Sequence, residues 1–356
     1  MNRKLRIGIL GGGGILVAHA PGFNRLQDQC EVIVAERDAS RYDQIRKLLG
    51  PDVKIVGDYA ELLNKEIVDA VDILLPHHLH APAAIAAAQA GLPVLVEKVM
   101  ARNIYECDQM IEACSKAGVS LTVCHDRRYD NDWMALKHIV ESGELGDILF
   151  WKLEHNQNVI FPEKSWGRSK EQIGGGAIMS CLTHQIDSLR WYGGEFESVT
   201  SMSKVDASRM EGESIGAVIA RMKSGALALL SINWNTQSHQ APNGLWYEFN
   251  HVTGTKGEAY FMSGKGTFVK IYEGQKVFEY DMKGEGAFVK VDTGDGLTGH
   301  QKCIEEWVKS LRGEKADIVT MGADSRKTVE VAEAAYRSEA TGSVVRLPIH
   351  PIPWKS

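Results

Sequence analysis

The feature that most constrains the fold is a short apolar segment followed at once by four consecutive glycines and a helical stretch. Residues 5–10 are Leu-Arg-Ile-Gly-Ile-Leu, Gly11–Gly14 follow them, and the helix after the glycines contains Pro21, which should shorten or kink it. Further strands are predicted at residues 31–35, 71–75, 94–96 and 119–123, with helices near 40–49, 81–90 and 105–116 between them. Strands that alternate with helices at this spacing predict right-handed βαβ units and a parallel sheet.

The pattern changes after about residue 125. A helix near 133–141 is followed by predicted strands at 147–154, 198–205, 216–222, 226–233, 247–252, 258–262 and 268–272. Turns such as Lys223–Gly225 and Glu273-Gly274 separate several of them, which favours antiparallel pairing, and two helices follow near 301–312 and 324–339. The sequence therefore predicts an α/β dinucleotide-binding domain over residues 1–125 and an α+β domain over residues 126–356.

Composition excludes several classes of function. The chain has 356 residues, is 44% hydrophobic and 24% charged, and carries a net charge of −6 without a block of Lys and Arg. We therefore expect no nucleic-acid partner, and no apolar stretch is long enough to predict a membrane span. The six cysteines form no C-x-x-C pair and the first residues form no leader, so we expect a cytoplasmic protein without a metal site.

The glycine run fits the dinucleotide fingerprint, in which Gly11 allows a tight turn and Gly13 lets the backbone approach the pyrophosphate. The pyrophosphate would then lie on the helix N-terminus, at Gly14 and Ile15. Leu16 occupies the third glycine position of the motif, which is a departure. A glycine-rich turn can also serve a purely structural need.

An acidic residue stands just past the second predicted strand, where it would accept hydrogen bonds from the adenosine ribose. This residue is Glu36, and it favours NAD as the cofactor. Arg37 follows it and could instead bind a 2′-phosphate, so NADP stays possible. Both could also be solvated loop charges.

Two groups of residues follow later strands, at the sheet edge where ligands bind in open α/β folds. The first contains Pro76, His77 and His80, for which we expect cofactor or packing contacts, since no carboxylate or cysteine nearby in sequence completes a metal site. The second is Glu97-Lys98. Lys98 could act as a base if its pKa were lowered, could hold the reacting oxygen as a cation, or could be a surface lysine.

A second glycine run, Gly174–Gly176, precedes a segment with three polar candidates. Ser180, His184 and Asp187 are spaced to lie on one helical face. A neutral His184 could take the proton of a substrate hydroxyl whose carbon loses hydride. A histidine on a helix is otherwise often a satisfied core group.

Taken in order, these motifs resemble the Gfo/Idh/MocA family of oxidoreductases. The resemblance covers nearly the whole chain and is carried by residues 7–15, 75–80, 94–98, 125–130, 142–146, 174–176 with His184 and Asp187, and 331–342. It implies a Rossmann domain followed by a domain with a large, mostly antiparallel open sheet that commonly mediates homodimers and homotetramers. It also implies NAD- or NADP-dependent hydride transfer on sugars, sugar derivatives or cyclitols.

By this resemblance, Lys98 positions or deprotonates the reacting hydroxyl, His184 is the acid/base, and Trp166 and Arg168 lie near the cofactor or substrate. Family members usually have proline where Val99 stands here, and many have aspartate where Ser180 stands. Asp187 could then orient His184 instead. Relatives that retain NAD through the cycle, and a nucleotide-dependent sensor without chemistry, are the alternative functions. Candidate substrate contacts are Arg127, Tyr129, His155, Trp166, His184, Asp187, Trp246 and His300.

Overall fold

The computed structural model describes residues 3–236, 246–272, 288–294, 296–318 and 320–352. The strands are β1 Leu5–Leu10, β2 Cys30–Ala35, β3 Lys54–Val56, β4 Ala70–Ile73, β5 Val94–Glu97, β6 Leu121–Cys124, β7 Ile148–Gln157, β8 Phe196–Val205, β9 Glu213–Met222, β10 Leu227–Asn233, β11 Trp246–Gly254, β12 Gly257–Met262, β13 Gly266–Ile271, β14 Val289–Lys290 and β15 Val345–Arg346. The helices are α1 Leu16–Arg25, α2 Tyr42–Leu49, α3 His77–Gln89, α4 Ile104–Ala117, α5 Asn131–Glu141, α6 Lys170–Ile173, α7 Thr183–Gly193, α8 Gly299–Leu311 and α9 Gly322–Thr341.

The first sheet is fully parallel and has the strand order β3-β2-β1-β4-β5-β6. This is the order of a Rossmann fold, in which ligands bind where the strand order reverses, between β1 and β4. The strands β4, β5 and β6 have four residues each, and all of these residues are buried, as expected for a parallel sheet covered on both faces. The prediction of a Rossmann-type α/β domain is confirmed.

The second sheet has nine strands in the order β14-β13-β12-β11-β7-β10-β9-β8-β15. Its strands pair antiparallel except for β7 with β10, so the prediction of a large, mostly antiparallel sheet is confirmed. The predicted turn at Lys223–Gly225 joins β9 to β10, with Gly225 N–H donating to Met222. The predicted turn at Glu273-Gly274 lies outside the described residues.

Two features of the first sheet's helices differ from the sequence prediction. Helix α3 begins at His77 rather than near residue 81. Pro76 suits the N-cap position because its backbone is extended and proline has no backbone N–H to donate. His77 and His80 therefore lie in a helical turn at the sheet edge. Pro21 lies inside α1, which continues to Arg25.

Helices near the end of the chain return to the first sheet. A Cβ on Gly22 of α1 would come within 2.8 Å of Ile304 of α8, so the two helices are in close contact. Ile304 and Trp307 of α8 are fully buried in the same core as Ile7 and Ile9 of β1. Segment 320–321 also adds to the edge of this sheet, since Met321 bridges Thr122. No helix in the described ranges is both long and apolar enough to cross a bilayer.

Candidate functional site

A cleft of about 470 Å³ opens at the carboxyl end of β1 and β4, where the strand order reverses. Eight residues predicted to bind the cofactor line it: Gly11, Gly13, Gly14, Ile15, Glu36, Arg37, Pro76 and Trp166. The cleft thus lies at the sheet edge where the strand-end argument predicts it, and the cofactor contacts themselves stay a prediction. Its position before the N-terminus of α1 gives it free backbone N–H groups, which suit a pyrophosphate.

The glycine loop has the shape that a dinucleotide needs. Gly11 has φ +107°, and a Cβ there would lie 2.7 Å from the carbonyl oxygen of Leu74, so only glycine fits. A Cβ on Gly14 would meet no atom within 4 Å, which leaves open space beside the loop. Leu16 points away from this space and is fully buried in the core. The departure at Leu16 is thus accommodated by packing and leaves room for the phosphates of NAD.

Glu36 lines the cleft just after β2, where its own neighbours hold it. Its carboxylate accepts hydrogen bonds from the N–H of Gly12 at 2.9 Å and the N–H of Asp38 at 2.8 Å, and Arg41 Nη1 lies 3.6 Å away. Arg37 lines the same cleft with an exposed side chain. A carboxylate held in this orientation suits ribose hydroxyls, whereas the two arginines offer positive charge to a phosphate.

A second pocket of about 270 Å³ adjoins the cleft and shares Ile15, Leu75 and Trp166 with it. Besides Ile15 and Trp166, five residues from the predictions line it: His77, His80, Glu97, Lys98 and Ser180. Lys98 Nζ donates to the backbone carbonyl of Ser180 at 3.0 Å, and the peptide bond between Lys98 and Val99 is cis although no proline follows. The hydrogen bond from Lys98 to Ser180 holds the lysine at the wall of this pocket, next to the cleft.

The two histidines of α3 are held by backbone groups. His77 Nδ1 is 3.0 Å from the carbonyl of Ile173, and its ring lies 4.7 Å from that of Trp166. His80 lies between the carbonyls of Val99 at 2.8 Å and Leu75 at 2.7 Å. Burial lowers the pKa of both rings. The two rings therefore form part of the wall of the second pocket. Arg168, in contrast, contacts the Ser208 carbonyl at 3.0 Å and lines neither pocket.

His184 lines neither of the two pockets and has an unsatisfied ring nitrogen. Its Nδ1 and Asp126 Oδ1 are 3.5 Å apart, both are buried, and neither has a hydrogen-bond partner among the described residues. Burial, then the positive charges of Lys98 and Arg127, hold the pKa of His184 well below its usual value. The ring is therefore neutral at pH 7 and able to accept a proton.

The expectation that Asp187 orients His184 or contacts substrate is not what the geometry shows. Asp187 is 1% exposed and forms a two-pronged ion pair with Arg128, at 2.8 and 2.7 Å. It also accepts a hydrogen bond from Thr328 Oγ1 at 2.9 Å. Residues three apart do share a helical face, but this part of the α7 face meets Arg128 and α9. A network of this kind suggests a structural role.

Three candidate substrate residues are engaged with protein groups instead of lining the second pocket. Arg127 Nη2 is 3.0 Å from Glu248 Oε2, and its guanidinium stacks over Trp246 at 5.6 Å. His155 Nδ1 is 3.2 Å from Glu248 Oε1, and its ring lies parallel to that of His184 at 6.2 Å. Tyr129 packs in the core beneath the first sheet, so its predicted contact with substrate has no support in the geometry.

Sequence reasoning missed Asp126, although its position gave a signal. Strand β6 ends at Cys124, so Asp126 stands just past a carboxyl end, as Lys98 does after β5. The same edge holds His300, whose Nδ1 is 3.4 Å from Asp126 Oδ2. Asp126 therefore lies between His300 and His184 and connects the two rings.

Comparison with known proteins finds relatives among the inositol dehydrogenases. Myo-inositol 2-dehydrogenase of Thermotoga maritima is 28% identical over 280 residues, which is 76% of this chain and 79% of that protein. A scyllo-inositol 2-dehydrogenase (NADP(+)) of Bacillus subtilis is 29% identical over 212 residues, and the match spans 59% of this chain but only 57% of that relative.

Solved structures show the same fold along the whole chain. The WlbA dehydrogenase of Bordetella pertussis, in complex with NADH and UDP-GlcNAcA, has a TM-score of 0.81 at 24% identity and covers 98% of this chain and 100% of its own. Levoglucosan dehydrogenase, in complex with NADH and levoglucosan, has a TM-score of 0.81 at 23% identity with the same coverage.

Two family models divide the chain much as its two sheets do. Residues 5–125 match the model of an oxidoreductase family with an NAD-binding Rossmann fold, and residues 133–260 match that of the GFO/IDH/MocA C-terminal domain. Together the matches cover well over half of the sequence, and they agree with the cleft and glycine loop described above. The chain therefore belongs to the Gfo/Idh/MocA family of oxidoreductases.

Proposed function

We propose that this protein is an NAD-dependent dehydrogenase that oxidises a carbon-bound hydroxyl of a sugar, sugar derivative or cyclitol, or reduces the corresponding ketone. The observation that carries the proposal is the position of Lys98, whose ammonium faces the pocket that adjoins the dinucleotide cleft. The relatives named inositol 2-dehydrogenases, and the fold neighbour solved with levoglucosan, support this class of substrate.

The side chains around the second pocket supply the groups that such a reaction needs. Bound NAD would provide the hydride acceptor, held by Gly13, Gly14 and Glu36. Lys98 would hold the hydroxyl oxygen and stabilise its negative charge as the proton leaves. His184, which is neutral, would take that proton and return it when the reaction runs as a reduction.

We further propose that Asp126 supplies the carboxylate that Ser180 cannot. Asp126 Oδ1 and His184 Nδ1 face each other at 3.5 Å, so a small closure would complete a hydrogen bond. That bond would fix the tautomer of His184 and stabilise the imidazolium formed during oxidation, as carboxylates do for catalytic histidines. Ser180 lines the pocket and offers a neutral hydroxyl to the substrate.

Replacing Asp126 with asparagine is expected to lower kcat about 100-fold, because His184 loses the negative charge that stabilises its protonated form. Without that charge the pKa of His184, already low, falls further, so the acidic limb of kcat/KM for oxidation moves to lower pH. The measurement is the pH profile of polyol oxidation. Asp187→Asn is the control, and an acidic limb that moves with Asp187→Asn but not with Asp126→Asn would reverse the assignment.

Cofactor preference gives a second test within the cleft. Glu36→Ser is expected to weaken NADH binding about 10- to 100-fold, because the charged hydrogen bonds to the ribose are lost, and to improve NADPH binding beside Arg37 and Arg41. Glu36→Gln is the matched control, since its amide oxygen can still accept from Gly12 and so separates charge from loop support. Fluorescence titration of each cofactor measures the change, and unchanged NADH affinity in Glu36→Ser would place the ribose elsewhere.

The proposed activity itself is tested by following NADH absorbance with a panel of inositols, aldoses, anhydrosugars and their ketones. Oxidation of at least one polyol with NAD, at a rate that depends on Lys98, supports the proposal. Cofactor that stays bound through gel filtration, together with sugar conversion and no net NADH, would favour a relative that retains its NAD. Tight NADH binding without any turnover across the panel would contradict the dehydrogenase and favour a sensor.

We further propose a homo-oligomer in the cytoplasm. The outer face of the second sheet exposes Met202, Ile219 and Leu227, at 81, 55 and 41% of their surface, which suits a homodimer or homotetramer formed through that sheet. All six cysteines are unpaired, which suits the reducing cytoplasm.

A further inference from the structure

Four side chains with metal-binding groups meet beneath Lys98, although they are far apart in the sequence. His19, Glu97, Cys124 and His300 each present one ligand atom, and these atoms all lie within 4.8 Å of one another. The first three residues are buried and His300 is partly buried. Their spacing along the chain matches no metal-binding motif, which is why the sequence predicts no metal site.

The parallel sheet explains how two of the four come together. Glu97 and Cys124 are the last residues of β5 and β6, and they are direct partners in the register of these neighbouring strands. Partner residues in a sheet point their side chains to the same face. That face is covered by α1, which carries His19, and by α8, which carries His300.

Each histidine has a carboxylate on its other ring nitrogen. His19 Nδ1 is 2.7 Å from Asp72 Oδ2, and His300 Nδ1 is 3.4 Å from Asp126 Oδ2. This directs both Nε2 atoms to the same oxygen, Glu97 Oε1, at 2.9 Å for His19 and 3.5 Å for His300. Metal-binding histidines in proteins almost always have such a carboxylate or carbonyl partner, which fixes the ring and raises its basicity.

From this geometry we propose that His19, Glu97, Cys124 and His300 bind a divalent transition-metal ion of the zinc type. Thiolate, carboxylate and neutral imidazole are all zinc ligands, four of them can complete a tetrahedral site, and the two negative charges of this set balance the ion. With metal–ligand bonds of about 2.0–2.3 Å, ligand atoms around zinc lie roughly 3–4 Å apart, so only small shifts are needed here.

The ion would be structural, and it would tie the C-terminal helix α8 to the edge of the first sheet. Glu97 also accepts a hydrogen bond from the Lys98 backbone N–H at 3.0 Å. A metal on Glu97 would therefore fix the backbone on which the reactive lysine stands. Because the four ligands form a closed set, the ion has no open position for substrate.

The test uses untagged full-length protein, stripped with a chelator and titrated with Co²⁺ and then Zn²⁺. We expect one Co²⁺ per chain, a thiolate–cobalt charge-transfer absorption, and displacement by Zn²⁺. Cys124→Ser should abolish the absorption and weaken Zn²⁺ binding at least 10-fold, whereas Cys107→Ser, a buried cysteine outside the cluster, should change neither.

His300→Gln serves as a second variant in case Cys124→Ser does not fold, because His300 is partly exposed. It should keep the thiolate absorption and weaken Zn²⁺ binding at least 10-fold. If folded wild-type protein gives no thiolate–cobalt absorption, or binds Zn²⁺ no more tightly than either variant, His19 is instead an imidazolium between two carboxylates and the proposal is wrong. None of these readouts depends on turnover, so they stand apart from the test of the dehydrogenase.

Discussion

Replacing Lys98 with methionine is expected to lower kcat about 100- to 10,000-fold while leaving NADH binding almost unchanged. Lys98 presents the only ammonium that lines the second pocket within the described residues, and its Nζ is already positioned by the Ser180 carbonyl at 3.0 Å. Methionine keeps the length and apolar stem of the side chain and removes the charge that would hold the reacting oxygen. Steady-state kinetics and a fluorescence titration with NADH measure the two effects separately.

Lys137→Met is the matched control for this experiment. Lys137 is also partly buried and also donates to a backbone carbonyl, that of Trp191 at 2.6 Å, but it does not line either pocket. It should therefore retain full activity. Turnover that survives in Lys98→Met would remove the lysine from the reaction, and a parallel loss of NADH binding would make it a cofactor contact.

The second large effect is on stability, and it concerns Asp187. Asp187→Ala is expected to lower the free energy of unfolding by about 3 kcal/mol, because Arg128 would stay buried without its main partner. Asp324, 2.8 Å from Arg128, compensates only in part. Urea unfolding at pH 7 measures the loss. Glu112→Ala, which breaks the exposed pair with Lys116, is the control and should change stability by less than about 1 kcal/mol.

The same ion pair makes stability depend on pH in a defined direction. Burial alone would raise the pKa of Asp187, but Arg128 and His125 lower it to about 2 in the folded protein. A carboxylate with a depressed pKa contributes stability above its unfolded value near 3.8, and that stability is lost as pH falls towards 2. The contribution is about 2 kcal/mol. In Asp187→Asn this part of the acid-induced loss should be absent.

A stable Asp187→Ala protein with impaired turnover would contradict the structural role. That result would instead support the catalytic or substrate-binding role of Asp187 that the helical spacing predicted. A variant that is less stable, yet active at a temperature where it stays folded, would confirm the role inferred from the geometry.

The sequence was sufficient for the dinucleotide cleft because its residues follow a local rule. Most candidates there stand at the end of a strand, as Gly11 does after β1 and Glu36 after β2, and parallel strands bring such ends to one edge. The glycine run added the shape of the loop. Alternation of strands and helices therefore predicted the fold, and it predicts a cofactor site at this edge.

The catalytic carboxylate could not be chosen in the same way. Helical spacing puts Asp187 and His184 on one face of α7, but it cannot show that Arg128 meets that face. The turn at Ile178–Leu182 is also a π-helix, which changes the register between Ser180 and His184 from the one that an α-helix would give. Asp126 faces His184 only because helix α7 packs against the segment that follows β6, and no local pattern in the sequence records that contact.

The return of α8 to the first sheet has a consequence for how the chain folds during synthesis. Trp307 and Ile304 complete a core whose other members begin at Ile7, so the two ends of the sequence share one hydrophobic interior. While residues 1–125 emerge from the ribosome, α1 covers only part of that face of the sheet, and the part that α8 will cover leaves apolar surface in water. The dinucleotide domain thus acquires its full core only after the second sheet has been made, and both halves become native together.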